Sequence, residues 1–478
     1  MNVYETLFQA ARQWPNQTAI IDAAGPLDYQ TLWREIETLR FQLERLGVGD
    51  GQGVGVRGRN GRALVIGCLA ALGSGAVVMP IHHLLKPDEM SEMLARAPLC
   101  AILDDGSATP PAGEGCDLKL QDGTPMRFTR LAVPLAPLAP WVEGAAFLRF
   151  TSGTTGASKG VILTHQGVLE RTRAVNQGLA LSPQDKVLWV LPMSYHFFAS
   201  ILLYLEFGAT IVVSPDYLAG SILDAAQLHE ATFLYVTPMH VRMLKAENSG
   251  RALPPLLKRI MSVSSRLHPQ IARDFQARFH VPVSQGYGII EVGVPLMNLA
   301  DAAEHPEAVG RPLPGYDAVI LDDQMKPLAN GQTGQLGLRG PGMFAGYLNP
   351  PKRREEVLRD GWFLTGDLAH RDDAGRIVID GRLKTVIDVA GHKVFPEEVA
   401  AVLDQHPAVL RSRVTTRPHP QLGESIHAEV QLRGDSTTEI TEDILAFCRR
   451  RLSSQKVPTS IDLVADIPLT SSGKVRHG

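Results

Sequence analysis

The chain has 478 residues, too many for one ordinary core, so two or more domains are expected. With 44% hydrophobic and 20% charged residues and a net charge of −3, it reads as a globular protein without the concentrated basic face that phosphate-backbone binding needs. No nucleic-acid partner is therefore expected. Cys68, Cys100, Cys116 and Cys448 are scattered, with no Cys-x-x-Cys pair, which argues against a zinc site or disulfide framework and makes a cytoplasmic location the expectation.

Residues 1–18 show no basic segment followed by an apolar run, so no signal peptide is expected. Tyr29 to Leu46 carries apolar residues at helical spacing and ends at Gly47. Gly53 to Val56 reads as a strand. The most apolar stretch, Leu64 to Ile81, is split by Gly73, Ser74 and Gly75. It predicts a buried helix followed by a short strand, and no membrane span. Residues 105–145, rich in Pro, Gly and Ala, predict an irregular connector. Lys186 to Leu191 and Thr210 to Val213 predict strands around another helix. Strands alternating with helices imply parallel sheets covered on both faces.

From about Gly310 short strands appear between Gly-containing turns: Ala318 to Leu321, Gly334 to Arg339 and Arg376 to Ile379. They predict a small antiparallel β region, read as a β-barrel region. After Asp380 come a strand, a helix near Pro396, a strand at His427 to Leu432 and a helix from Thr441 to Leu452. The expected fold is α/β. A large N-terminal domain of αβ layers with the β region (1–380) precedes a small C-terminal α+β lid domain (381–478).

The strongest local signal is the run Thr151-Ser152-Gly153-Thr154-Thr155-Gly156-Ala157-Ser158-Lys159-Gly160, set between apolar stretches. Glycines permit tight turns that expose backbone N–H groups. Hydroxyls and Lys159 add donors, as a polyphosphate requires. A polar surface turn is the plain alternative. The run is not the P-loop of ordinary NTPases, which ends Gly-Lys-Ser/Thr; here Ser158 precedes the lysine and Gly160 follows it.

Thr151 to Gly160 resembles the signature loop of the acyl-adenylate-forming superfamily: acyl-CoA synthetases, peptide-synthetase adenylation domains and luciferases. Further motifs follow in the same order along almost the whole chain. Gln285-Gly286-Tyr287-Gly288-Ile289-Ile290-Glu291 is similar to the family's Tyr-Gly-x-Thr-Glu element. Its glycines allow close backbone approach, Tyr287 can stack on a purine, and Glu291 can bind magnesium, which prefers oxygen ligands. Here the family's Thr is Ile290. Losing that hydroxyl's bond to a charged phosphate, worth about 1.5–3 kcal/mol, implies adenylation slowed by roughly one to two orders of magnitude. A second departure is Ser262-Val263-Ser264-Ser265-Arg266, where the family has a Gly/Ala/Pro-rich segment beside the adenine.

Gly361 to Asp367 resembles Gly-Trp-x-x-Thr-Gly-Asp, which gives Asp367 the ribose hydroxyls. Gly381-Arg382-Leu383-Lys384 resembles the hinge, with Arg382 on ribose or phosphate and Lys384 at the pivot. Gly391 to Glu398 looks like the loop that presents a narrow passage to a thiol, with Gly391 and Lys393 in it. Pro468 to Lys474 resembles the catalytic loop whose lysine meets the carboxylate and the α-phosphate. Leu191 to Phe198 resembles the segment that gates the acid pocket, with His196 near the carboxylate. Phe197, Gly286, Gly288 and Val292 are expected to line that pocket. No Asp stands in Leu234 to His240 to meet an ammonium, which favours an acid without an α-amino group.

The resemblance implies ATP, Mg2+ and coenzyme A, or the phosphopantetheine of an acyl carrier protein, as cofactors. The acid is adenylated with pyrophosphate release and then passed to the thiol. Lys474, Thr154, Glu291 and His196 are the implied catalytic residues. Thr151, Ser152, Gly153, Thr154, Thr155, Gly156, Lys159, Gly286, Tyr287, Gly288, Asp367, Arg382 and Lys474 are the implied nucleotide contacts. A weakly active nucleotide-binding relative is the alternative that Ile290 suggests.

Overall fold

The computed structural model describes the chain except residues 1, 134, 152–158, 386, 390–391, 420–422, 435–439, 470–474 and 476–478; for 151, 384, 388, 392, 393 and 423 it describes the backbone alone. The chain divides into two compact units, residues 1–318 with 338–363, and residues 319–337 with 364–478.

Among the described residues the first unit is built on two nine-stranded sheets. One has a parallel centre, running from Val283–Ile289 through Arg259–Ser262, Phe233–Val236, Lys186–Trp189 and Thr210–Val213 to Thr18–Asp22. Its central strands are short and apolar, as parallel strands buried on both faces must be. Helices Ala219–Leu228 and Pro269–Phe279 pack on it through Ile222, Leu223, Ala272 and Phe275.

The other sheet contains Ala145–Thr151 and Lys159–Thr164, antiparallel neighbours that hold the two ends of the hydroxyl loop. Beside them lie Val77–His82, Gly53–Gly58 and Leu99–Asp104, all parallel. The helix Arg62–Gly73, nearly all buried, covers this region. Gly67 is buried there because a Cβ would come 2.8 Å from Val56. Near the outer edge, Gly346–Tyr347 pairs antiparallel with Lys159–Thr164 on one side and with the edge strand Lys352–Arg353 on the other.

The predicted irregular connector at 105–145 is partly ordered. Glu114–Leu118 and Met126–Arg130 form an antiparallel hairpin on the sheet edge. Its turn is organised from afar: the Glu35 carboxylate accepts the backbone N–H groups of Gln121 and Asp122 at 2.8 and 3.0 Å. Composition reported the turns but not the long-range anchor.

In the second unit the antiparallel four-stranded sheet is Asp317–Leu321, Gly334–Arg339, Phe363–Arg371 and Ile377–Arg382 in that order; its first strand begins in the first unit. A further five-stranded sheet is centred on Val409–His419 and Gly423–Leu432. The helices Pro396–Leu403 and Ile440–Arg449 close its core through Val399, Leu403, Ile444 and Cys448. Pro396 starts its helix at the first turn, where a missing N–H costs nothing. No described helix is long and apolar enough to cross a membrane.

Candidate active site

Two groups of predicted residues are drawn together, one within each unit. In the first unit the focus is Glu291, on the turn that follows Val283–Ile289. The turn is fixed by its backbone: Val292 N–H donates to Ile289 O at 3.2 Å, and Phe344 N–H donates to Glu291 O at 2.7 Å. The fully buried Arg171 donates to the Ile290 carbonyl at 3.1 Å and, through Nε, to the Gly342 carbonyl at 2.9 Å. One guanidinium thus ties the Ile290–Glu291 turn to the chain segment leading into Gly346–Tyr347.

Tyr347 then joins three parts of the site. Its hydroxyl donates to Glu291 Oε1 at 3.0 Å. Its ring lies under the Lys159 ammonium, 4.8 Å from the centroid, a cation–π contact. Its backbone pairs with Val161. The exit of the hydroxyl loop, the lysine and the acidic residue therefore meet around one phenol. Sequence reading missed Tyr347. The signal available, an aromatic beside Gly346, acquires meaning only through pairing with a strand far away in the sequence.

Burial pushes the Glu291 carboxyl above its ordinary range, opposed by the Tyr347 hydroxyl and by the positive charges of Lys159 and Arg171. Burial, and then the neighbouring Glu291, raise the Tyr347 phenol, so it stays a donor. Burial pushes Arg171 down to about 10, which leaves it cationic at neutral pH. A largely buried carboxylate whose charge is offset only indirectly, by Lys159 across a ring and by Arg171, can accept a divalent ion. No group of three or more His, Cys, Asp or Glu gathers among the described residues. The donor set fits magnesium carried in on a polyphosphate, since that ion typically takes one or two protein carboxylates plus phosphate oxygens and water.

The strand before this turn carries Gly286, Tyr287 and Gly288. A Cβ on Gly288 would lie 2.8 Å from the Gly293 carbonyl, and one on Gly286 would lie 3.0 Å from the Met261 sulfur. Packing alone therefore requires Gly288, beside any need for ligand approach. Next to this strand, Ser262 pairs with Gln285 in register, and the Ser262 hydroxyl is buried without a partner. Ser264 adopts φ +77°, a backbone conformation that glycine takes at lower cost. The departure from a Gly/Ala-rich segment thus costs strain at that position.

His196 ends the short helix Met193–His196. Its ring meets Trp189 at 5.5 Å and Tyr235 at 5.7 Å, edge-on in both cases. Phe197 and Val292, expected to line the acid pocket, are fully buried at 0% exposure. Phe197 lies 6.2 Å from the Phe147 ring and serves as core.

In the second unit, Asp367 and Arg382 sit directly opposite each other on antiparallel strands. Arg382 Nε is 3.1 Å from Asp367 Oδ1, with side-chain exposures of 47% and 7%. Asp367 N–H donates to Thr365 Oγ1 at 3.0 Å, and Thr365 Oγ1 donates to Leu336 O at 3.0 Å. Gly366 has φ +75°, which turns the chain between these two residues. The Gly-Trp-x-x-Thr-Gly-Asp run is thus a scaffold that aims one carboxylate.

The remaining predicted residues are less fully described. Ser152, Gly153, Thr154, Thr155, Gly156, Gly391 and Lys474 lie outside the described residues, and Thr151, Lys384 and Lys393 are described by their backbone. Lys384 falls in the single turn Leu383–Thr385 and Lys393 in the strand His392–Val394.

Residues 7–348 match the AMP-binding enzyme family, and residues 398–474 match the AMP-binding enzyme C-terminal domain. The chain belongs to the AMP-binding enzyme family. It is an AMP-forming acid–thiol ligase of the acyl-adenylate-forming superfamily, which uses ATP and magnesium. The chain is 31% identical to a sulfoacetate–CoA ligase of Cupriavidus necator, over 98% of this chain and 95% of the relative. It is 28% identical to a feruloyl-CoA synthase of Amycolatopsis sp., over 98% and 96%. Its fold matches an ATP-bound RpMatB–BxBclM chimera with a TM-score of 0.85 at 26% identity, covering 99% of this chain and 97% of the other.

Proposed function

We propose that this AMP-binding enzyme is an acyl-CoA ligase for an acid without an α-amino group, working in a reducing cytoplasm. The observation that carries the reading is the meeting of Lys159, Tyr347 and Glu291 at the exit of the hydroxyl loop. It puts a cation and a carboxylate together where a metal-borne triphosphate needs both. Coenzyme A as acceptor is supported by the sulfoacetate and feruloyl relatives, whose names both specify it.

In the proposed chemistry an oxygen of the substrate carboxylate attacks the α-phosphorus of ATP. The bond from that phosphorus to the pyrophosphate oxygen breaks, giving acyl-AMP. Magnesium, when bound, offsets the triphosphate charge; Glu291 would hold it, kept in place by Tyr347 and the turn that Arg171 fixes. Residues 151–159 would cradle the phosphates, Tyr287 would stack on the adenine, and Asp367 with Arg382 would hold the ribose. Lys474 would neutralise the reacting oxygens. In the second step the domain 381–478 would turn about Lys384, and the loop of Gly391 and Lys393 would admit the thiol. The thiol sulfur then attacks the acyl carbon, expels AMP and loses its proton.

The test is pyrophosphate exchange against a panel of aliphatic, aromatic, sulfonated and long-chain acids, followed by thioester formation with coenzyme A and with an acyl carrier protein offered singly. Exchange with at least one acid and thioester on coenzyme A are expected. Thioester on the carrier protein alone would replace coenzyme A as acceptor. Absence of exchange with every acid would favour the inert nucleotide binder. Lys474→Ala should abolish exchange while leaving ATP binding measurable.

A further inference from the structure

The strand Ala145–Thr151 feeds the hydroxyl loop, and its side chains alternate between two faces. Leu148 and Phe150 belong to the apolar core on one side. Phe147 meets Phe197 and Phe198 on the other. Arg149 shares that second face, two residues before the loop begins.

Its surroundings are unusual for a cation. The guanidinium carbon lies 4.6 Å from the Tyr195 ring centroid and 6.0 Å from that of Phe198. One terminal nitrogen donates to the carbonyls of Tyr195 and Ser194. No carboxylate pairs with it among the described residues; Tyr195 is the titratable group that bears on it, and burial pushes it down to about 10. It therefore carries its charge at neutral pH. A cation packed against aromatic rings normally comes paired, and this half-buried one retains donors beyond those used on the two carbonyls. Ser194 contributes a hydroxyl that is itself buried without a partner.

The site is also held rigid. Asn60 donates to Leu191 O at 2.7 Å and accepts from Met193 N at 2.8 Å, which pins the segment carrying Ser194 and Tyr195. His82 stacks on Tyr195 at 5.3 Å with planes 9° apart. Two residues along a strand span about 6.5–7 Å. That sets Arg149 about one small-acid length back from Thr151, where the hydroxyl loop begins.

We propose that Arg149 is a specificity-determining residue that binds a second anionic group on the acid. The substrate class is then small acids that carry a sulfonate or a second carboxylate beside the carboxylate that reacts. The inference rests on the acid-activation reading above. A planar guanidinium with free donors recognises a carboxylate or sulfonate through paired hydrogen bonds. An uncharged end placed there would desolvate the half-buried cation without compensation.

The test measures kcat/KM in pyrophosphate exchange for matched pairs: sulfoacetate against methylsulfonylacetate, and malonate against monomethyl malonate. Wild type should favour the charged member of each pair by about thirtyfold or more, the worth of one charge-assisted bond. Arg149→Met should bring that ratio to within about threefold, and Arg149→Lys, which keeps the charge but loses the fork, should fall between. A wild-type ratio near one overturns the inference. So does an equal loss for both members of a pair in both variants, which would mark Arg149 as a brace for the 191–198 segment or a holder of the reacting carboxylate. Exchange restricted to uncharged acids sinks this inference alone, whereas no exchange with any acid sinks the activation reading with it.

Discussion

The two carboxylates proposed above for metal and ribose, Glu291 and Asp367, have opposite surroundings, each within its own unit. Glu291 is held by a neutral phenol, with Lys159 across that ring and Arg171 as a second indirect cation, and burial raises its pKa. Asp367 is already matched at 3.1 Å by an arginine on the facing strand. The first arrangement leaves negative charge only partly offset, with room for a further cation. The second is compensated in advance and needs only to share its oxygens with neutral hydroxyls. That contrast is what the proposed roles, metal at Glu291 and ribose at Asp367, would require.

Substitutions should break this contrast unequally. Glu291→Gln keeps the shape and the Tyr347 contact but removes the charge. It should lower exchange by about 10²–10³-fold, the scale of losing one electrostatic contact in a closed site, and raise the magnesium concentration needed for half-maximal rate. Asp367→Asn should raise KM for ATP by about tenfold to a hundredfold, with little change in the magnesium requirement. If both variants shift the magnesium requirement equally, the division of labour is wrong.

Smaller effects sharpen the picture. Tyr347→Phe leaves the ring under Lys159 but frees Glu291, and a loss of about tenfold in exchange is expected, the worth of one hydrogen bond to a charged group. Ile290→Thr should raise the exchange rate; an unchanged rate would mean another donor already serves the phosphate. The smallest effect concerns stability. His82, His165 and His240 are each pushed down to about 4, chiefly by burial. Unfolded, they titrate near the usual value of about 6.5. Between those values the unfolded chain binds more protons, so the stability present above pH 6.5 is lost as pH falls through 4. The melting temperature should decline steadily over that window. His240→Asn, which can still accept from the Thr237 backbone as His240 does at 3.3 Å, should flatten the slope.

What was legible in the sequence was local. The apolar runs located the strands at Thr210–Val213 and Gly334–Arg339 as they stand. Glu291 and Asp367 stand out because their Gly-containing motifs resemble the family's; either motif alone reads equally as a turn. What was not legible came from contacts between distant segments. Arg171 sits mid-helix and reads as an ordinary surface residue until Gly342 and Ile290 are seen to offer it carbonyls. Phe197 looked like pocket lining from its place beside His196, but a change of helical phase at Phe197–Ile201 turns it into the core. Periodicity is blind to such a change, because it assumes a single pitch.

The short strand Gly346–Tyr347, second from the edge of its sheet, has a consequence for the order in which the site is assembled. Lys159 and Glu291 emerge from the ribosome well before the phenol that joins them. A chain made only as far as residue 345 has Lys159 and Glu291 but not the phenol that joins them, so such a fragment should hold the two side chains less firmly than the full chain does.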